Sequence, residues 1–162
     1  MRFLLGPILA GLALLMLAPC AVALYDGSPD LEAVLISEAA TAGAALLLVI
    51  TGRRRISHLR LRDMFLLTST SWLMICLFGA LPFILSHTVG SFTDAVFESV
   101  SAVTTTGATV LTGLDSMPRD MLLWRSMMQW LGGLAIIALG TAVLPFLRIG
   151  GMRLFNTESS DF

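Results

Sequence analysis

Residues 103–110 read Val-Thr-Thr-Thr-Gly-Ala-Thr-Val, four threonines and a glycine set together in a chain of 162 residues that is 56% hydrophobic. Stripping the water from a cation such as potassium takes a stack of oxygens at fixed spacing. Extended backbone with successive inward carbonyls supplies them, and threonine hydroxyls can add a further site. Gly107 opens backbone angles closed to residues that carry a side chain, and the β-branched threonines stiffen the extended chain beside it. Asp94, Glu98 and Asp115 flank the segment and are read as acids that gather cations at an outer mouth. Alone, Thr-Thr-Thr-Gly is a weak signal, because an ordinary polar loop has the same composition. What surrounds it decides.

Ahead of it, Ser91-Phe92-Thr93-Asp94 has the form of a capping box. An apolar stripe follows at Phe92, Val96, Val100 and Val103, with helical spacing. The result is a helix of about three turns, roughly 16 Å long, against the ~30 Å needed to cross a bilayer. A helix that stops halfway leaves carbonyls unpaired at its C-terminus, where the negative end of the macrodipole lies. Those groups need a cation, water or protein donors. Irregular backbone at membrane depth survives only where it is packed in protein or lines a water-filled path, so residues 104–108 are expected to form a re-entrant pore loop.

The composition supports a membrane setting. Only 13% of residues are charged, about half the share of a soluble domain, and the mean hydropathy is +0.87. Four apolar runs, 3–24, 31–51, 64–85 and 121–147, each reach the ~20 residues of a spanning helix. All ten basic residues are arginine, and the net charge of −1 offers no basic surface for nucleic acid. Arg53, Arg54, Arg55, Arg60 and Arg62 crowd the connection after the second run, Arg2 precedes the first, and Arg148 and Arg153 follow the fourth. Asp26, Asp30, Glu32, Asp94, Glu98, Asp115 and Asp120 collect on the other side, so the positive-inside rule puts both termini in the cytoplasm.

The first run has a rival reading as a cleaved signal peptide, with Leu17-Ala18-Pro19-Cys20 and Ala21-Val22-Ala23 as candidate cleavage sites. A proline before the cysteine and a single arginine at the start count against it. Pro19 falls near the expected outer end of the first helix. The second run carries small residues at Ala39, Ala40, Ala42, Gly43, Ala44 and Ala45, a surface another helix can approach closely. Glu38 in that run is read as snorkelling or hydrogen-bonded to a neighbour, with ion handling the sharper alternative. Cys20 and Cys76 sit inside apolar runs as small hydrophobes. His58 and His87 fall on opposite sides, no nucleophile meets a base, and no enzyme is expected.

The fourth run begins with Trp124 and Trp130, placed in an outer aromatic belt. Gly132, Ala135, Ala138 and Ala142 form a small-residue seam. Arg125 and Gln129 share a face one turn apart; they either anchor the helix at the interface or brace the pore loop by hydrogen bonds.

The three blocks Phe92 to Val110, Trp124 to Ile136 and Leu144 to Asp161, in that order, resemble the first pore repeat of the Trk/Ktr/HKT potassium transporter superfamily, most closely its bacterial TrkH type. The two preceding runs are similar to the additional N-terminal hairpin of TrkH-like members. The resemblance implies an all-α integral membrane fold, a two-helix transmembrane hairpin over 1–55 followed by one potassium-channel-like repeat over 62–155. Within the repeat it implies M1 at 64–85, a pore helix at 92–103, a filter at 104–108 and M2 at 119–147, with 148–162 a cytoplasmic connection that is cut short. It further implies potassium coordination at Thr105 and Thr106, Gly107 as the filter glycine, and Thr104 and Ala108 bordering the same segment. Where relatives commonly have Gly-Gly-x-Gly-Ile, this sequence has Gly132-Gly133-Leu134-Ala135-Ile136.

Implied function is potassium uptake across the bacterial inner membrane, with potassium as substrate and no covalent cofactor. Implied partners are membrane lipid, a cytosolic nucleotide-binding Trk regulatory subunit, and a homo-oligomer partner. The family places four repeats around one pore, and a lone repeat would expose polar backbone to lipid. The expectation is therefore either an N-terminal fragment of a longer transporter, which is favoured, or a pore of four copies. A non-transporting membrane assembly module is the alternative function.

Overall fold

The computed structural model describes residues 2–52 and 61–158, with side chains described for 3–52 and 62–141. The regular elements among the described residues are all helical: α1 (Arg2–Asp26), α2 (Leu31–Thr51), α3 (Leu61–Gly79), α4 (Leu81–Leu85), α5 (Phe92–Val103) and α6 (Arg119–Glu158), with one 3₁₀ turn at Leu114–Ser116. There is no strand among the described residues. Four segments are long and apolar enough to cross a membrane: Phe3–Asp26, Leu31–Thr51, Arg62–Leu85 and Arg119–Thr141. The expected all-α membrane fold is therefore observed. Arg53, Arg54, Arg55, His58 and Arg60 lie outside the described residues, as do the side chains of Arg2, Arg148 and Arg153.

α1 and α2 form an antiparallel hairpin. Leu9, Leu12, Met16, Cys20 and Ala23 bury one face of α1, and Ala33, Val34, Ser37, Thr41 and Ala45 bury the facing side of α2. The polar members of that face are satisfied within it. Ser37 Oγ donates to Ala33 O at 2.7 Å, and Thr41 Oγ1 donates to Ser37 O at 2.7 Å while lying 3.6 Å from Met16 Sδ. Of the small-residue surface expected on α2, only Ala45 is buried, whereas Ala39, Ala40 and Gly43 are exposed. Helix α1 also runs on past Pro19 for seven residues, to Asp26. A proline removes one N–H, which neighbouring helices and local adjustment can offset in a membrane.

The turn between α1 and α2 follows from Gly27. Its φ of +62° is the left-handed conformation that closes a helix at little steric cost, and Ser28 N–H donates back to Ala23 O at 2.9 Å. Asp30 N–H then donates to Ser28 Oγ at 3.2 Å. Burial, and secondarily the negative charge of Asp120, raise the Asp30 carboxyl above the usual carboxylate range. A raised folded-state pKa means the ionised form is disfavoured by folding, so stability falls as pH rises from ~3.9 through the folded value. Asp30 makes no side-chain cap bond to α2, so Asp30→Asn removes the charge without removing a cap. The thermal midpoint of this variant should exceed that of the parent at pH 7.5, and the two should converge at pH 3.5. Equal midpoints at both pH values would refute this account.

The third run divides near its C-terminal end. Pro82 cannot donate to Phe78 O and its ring crowds that carbonyl, so α3 gives way to the five residues of α4, although Ala80 N–H still reaches Cys76 O at 3.1 Å. The kink matters because Trp124 uses it: the indole Nε1 donates to Gly79 O at 2.9 Å. Trp124 is fully buried with Phe83, Met121 and Met128, and only Trp130, 61% exposed, remains on the outside. The expected aromatic pair is thus one core residue and one surface residue. At the other end, α6 continues beyond 147 to Glu158. No proline follows Pro145 there, and Gly150 and Gly151 weaken a helix without ending it.

Candidate functional site

α5 is the short helix, bounded as its capping residues dictate. Ser91 Oγ accepts the Asp94 N–H at 3.1 Å, which satisfies one of the four orphan donors of the first turn. Its orientation is not the one the apolar stripe predicts. Phe92 and Val100 are exposed and Val96 is half-buried, while the buried face consists of Ala95, Glu98, Ser99, Ser101, Ala102 and Val103. Small and hydroxyl side chains turn inward because α5 lies close between α3 and α6: Ser99 Oγ donates to Cys76 O at 2.7 Å and lies 3.7 Å from Met128 Sδ. Gly79 belongs to this contact, since a Cβ there would stand 2.7 Å from Met128 Sδ and 2.8 Å from Ser99 Oγ.

The C-terminus of α5 closes on the threonine run itself. Thr104 N–H donates to Val100 O at 2.9 Å, Thr105 N–H to Ala102 O at 3.0 Å, and Thr106 N–H to Ser101 O at 2.9 Å. With Thr105 at φ +58°, the last two bonds form a Schellman motif. Glycine is the usual occupant of that left-handed position. A β-branched threonine there is strained by about 1–2 kcal/mol. The helix end therefore does not present a row of open carbonyls. Three of the last four are capped by the loop, and the fourth, Val103 O, lies against Gly132 of α6, where a Cβ would fall 1.8 Å from it.

Beyond the cap the loop is exposed from Thr104 to Val110, and Gly107 takes φ +78°, the conformational freedom its position calls for. Among the described residues no donor reaches the carbonyls of Thr104, Thr105 or Thr106. Gly107 O and Ala108 O differ. Arg125 Nη2 stands 3.4 Å from each, and Ala108 O also accepts the Ser101 hydroxyl at 2.5 Å, so both of its lone pairs are engaged. The hydroxyls of Thr104 and Thr106 are 2.8 Å apart, and Thr104 Oγ1 also reaches Val100 O at 2.8 Å.

A buried carboxylate ties the loop to the two helices beside it. Glu98 is 0% exposed; its Oε1 accepts from Thr109 Oγ1 at 2.6 Å and from Val110 N–H at 2.5 Å, and its Oε2 takes the Arg125 Nε–H at 3.0 Å. Glu98 is thus placed in the interior, bonded to the loop, rather than at an open mouth. Asp94 is half-buried at the start of α5 and Asp115 is exposed in the 3₁₀ turn. Arg125, expected either to anchor the helix or to brace the loop, stands beside the loop through its Nη2. Gln129 is half-buried and makes no hydrogen bond to the loop among the described residues. The residues that sequence reasoning passed over are Ser101, which holds both Thr106 and Ala108, and Thr109.

A family model described as TrkH, cation transport protein, matches residues 36–162, which is most of the chain. The chain belongs to the TrkH family. Among TrkH-family relatives, the Trk system potassium uptake protein TrkI of Halomonas elongata is 47% identical over 151 residues, covering 93% of this chain and 31% of that relative. The Trk system potassium uptake protein TrkH of Escherichia coli K12 is 48% identical over 107 residues, or 65% of this chain and 22% of that one. The crystal structure of the potassium transporter TrkH from Vibrio parahaemolyticus superposes with a TM-score of 0.85 at 37% identity, covering 99% of this chain and 35% of that chain. The chain thus spans between 22% and 35% of the length of these proteins, and over that span it has the TrkH fold.

Proposed function

We propose that this chain supplies one wall of a potassium uptake pore in the bacterial inner membrane, with the carbonyls of residues 104–106 turned to the ion. The observation that carries the reading is the set of three successive threonine carbonyls free of protein donors, held at the end of α5 by bonds to the oxygens of Val100, Ser101 and Ala102 before them and of Gly107 and Ala108 after them, with Val103 O packed against Gly132. The relatives are named potassium uptake proteins, which gives the ion. In this assignment Thr104, Thr105 and Thr106 form the coordinating segment and Gly107 sets its turn. Ala108 belongs to the frame. Arg125 and Glu98 brace the loop, and Asp94 and Asp115 add negative potential at the outer entrance.

Four walls are needed to replace a hydration shell, so the partners are further repeats of this kind, from a longer chain or from identical copies. Both termini are cytoplasmic in this scheme, where a nucleotide-binding Trk regulatory subunit would act. Gly107→Ser tests the filter assignment. Nothing lies within 4 Å of a Cβ at this position, so the change acts through the left-handed backbone, which disfavours a side chain by about 1–2 kcal/mol. In proteoliposomes of the pore-forming protein, selectivity for potassium over sodium should fall about tenfold, equivalent to ~1.4 kcal/mol. Unchanged selectivity would sink the assignment.

A further inference from the structure

One residue of α5 holds three consecutive residues of the threonine loop. Ser101 O accepts the Thr106 N–H at 2.9 Å and the Gly107 N–H at 3.4 Å, and Ser101 Oγ donates to Ala108 O at 2.5 Å. Ser101 is only 4% exposed, so water has little access to these bonds.

The two N–H bonds decide where the neighbouring carbonyls point. A trans peptide unit is planar, with its C=O antiparallel to its N–H, and no peptide bond among the described residues is cis. Thr105 O shares a unit with the Thr106 N–H, and Thr106 O shares one with the Gly107 N–H. Both N–H groups converge on Ser101 O, so both carbonyls face away from it, toward the same side. Successive units of a regular strand alternate in direction. Here the left-handed Thr105 and Gly107, at φ +58° and +78°, break that alternation.

The hydroxyl is committed to the loop in preference to its own helix. Ser37, Thr41, Ser71 and Ser126 each turn the hydroxyl back to the carbonyl four residues earlier, the usual local bond of a helical serine or threonine. Ser101 Oγ instead reaches seven residues forward. Without it, Ala108 O keeps only Arg125 Nη2 at 3.4 Å, and no other α5 side chain bonds to Gly107 or Ala108 among the described residues. Glu98 takes hold only from Thr109 onward.

We infer that Ser101 is the positioning residue of the filter: its carbonyl turns Thr105 O and Thr106 O to one side, and its hydroxyl holds Ala108 so that the pair stays aligned. This rests on the filter reading above. Oxygens held at one spacing discriminate between ions by size, whereas oxygens free to move adapt to either.

The test compares wild type, Ser101→Ala, Ser101→Thr and Ser99→Ala in the pore-forming protein, by thermal midpoint and by potassium over sodium selectivity in proteoliposomes. Ser101→Ala should lower selectivity about fivefold, the worth of one net hydrogen bond, and Ser101→Thr, which keeps the hydroxyl, should recover it. Ser99→Ala removes another buried hydroxyl of α5, the one bonded to Cys76 O; it should lower the midpoint comparably and leave selectivity unchanged. Wild-type selectivity in Ser101→Ala, an equal loss in Ser99→Ala, or a threonine variant as unselective as the alanine one overturns the proposal. Crystals of the wild type grown with thallium(I), a potassium mimic with strong anomalous scattering, supply a measurement that needs no variant. A peak in contact with both Thr105 O and Thr106 O is expected. A peak in contact with only one of them refutes the alignment and leaves the filter reading standing, whereas no peak at residues 104–106 removes the filter reading and this inference with it.

Discussion

In the proposed pore, replacing Glu98 by glutamine is expected to disable potassium uptake, and more completely than replacing half-buried Asp94 or exposed Asp115. Among the described residues, Glu98 is the one buried side chain that bonds both to the loop after Gly107 and to α6. Glutamine preserves volume but loses the charge that Arg125 answers, and its NH₂ is a donor where Val110 N–H and Arg125 Nε–H also donate. Breaking a buried ion pair from one side costs about 3–5 kcal/mol because it leaves an uncompensated charge. Arg125 is 17% exposed and can draw partly on water, which places the expected loss at the lower end of that range.

A double-mutant cycle separates bracing from mere charge. Arg125→Gln alone leaves the buried Glu98 without its cation, the worse of the two single losses. Glu98→Gln with Arg125→Gln removes both charges, so it should lose less stability than the two single changes summed, with a coupling of about 0.5–3 kcal/mol. The readouts are thermal unfolding and potassium uptake by proteoliposomes of the same protein. Full uptake and an unaltered midpoint in Glu98→Gln would show the network to be idle.

Why Glu98 reads differently in sequence and in structure is a matter of helix rotation. From sequence, α5 is a half-length helix with a stripe of large apolar residues, and Glu98 is read as an acid of the outer mouth. Taking the large apolar stripe as the packed face is the rule for a helix in water. In a membrane protein the large residues can face outward at no cost, and the close-packed side belongs to small and hydroxyl groups, which is where Ala95, Ser99 and Ala102 lie. The same inversion moved Trp124 into the core, where Gly79 O answers its N–H. What local chemistry governs was legible: the capping serine, the half length of α5, the left-handed Gly107 and the four apolar runs. What depends on which faces meet was not. The left-handed Thr105 had no signal at all, since threonine is among the residues least expected there.

The helix end was half legible. Unpaired carbonyls at the C-terminus of a buried half-helix do demand partners, but the chain supplies them from the loop, through Thr104, Thr105 and Thr106 N–H. Donating those N–H groups back to the helix has a second effect. It fixes the three residues Thr104 to Thr106 while leaving their carbonyls without donors among the described residues, so one device caps the helix and exposes the oxygens. The macrodipole of α5 still points its negative end at this place, which favours a cation there by a few tenths to about 1 kcal/mol.

The last of the four carbonyls, Val103 O, yields the sharpest steric prediction. Gly132 and Gly133 are adjacent in α6, equal in sequence terms, and opposite in consequence. A Cβ on Gly132 would lie 1.8 Å from Val103 O, 2.6 Å from its carbon and 3.0 Å from its Cα, all backbone atoms with no rotamer to yield. Ordinary C···O contact is ~3.3 Å, so α5 and α6 would have to separate by roughly 1.5 Å at the residue that adjoins Thr104. A Cβ on Gly133 meets only Thr105 Cγ2, at 3.9 Å, which is normal contact. Gly132→Ala should therefore destabilise by about 1–3 kcal/mol or more, as overpacking does, and should abolish selective uptake by displacing the cap that sets Thr105 and Thr106. Gly133→Ala should be neutral or stabilise by up to ~1 kcal/mol through helix propensity, with uptake retained. Thermal unfolding and potassium flux on the pair decide the matter. Equal behaviour of the two variants would mean that α6 does not approach the end of α5 on its Gly132 face, and with that the frame holding the threonine carbonyls would fail.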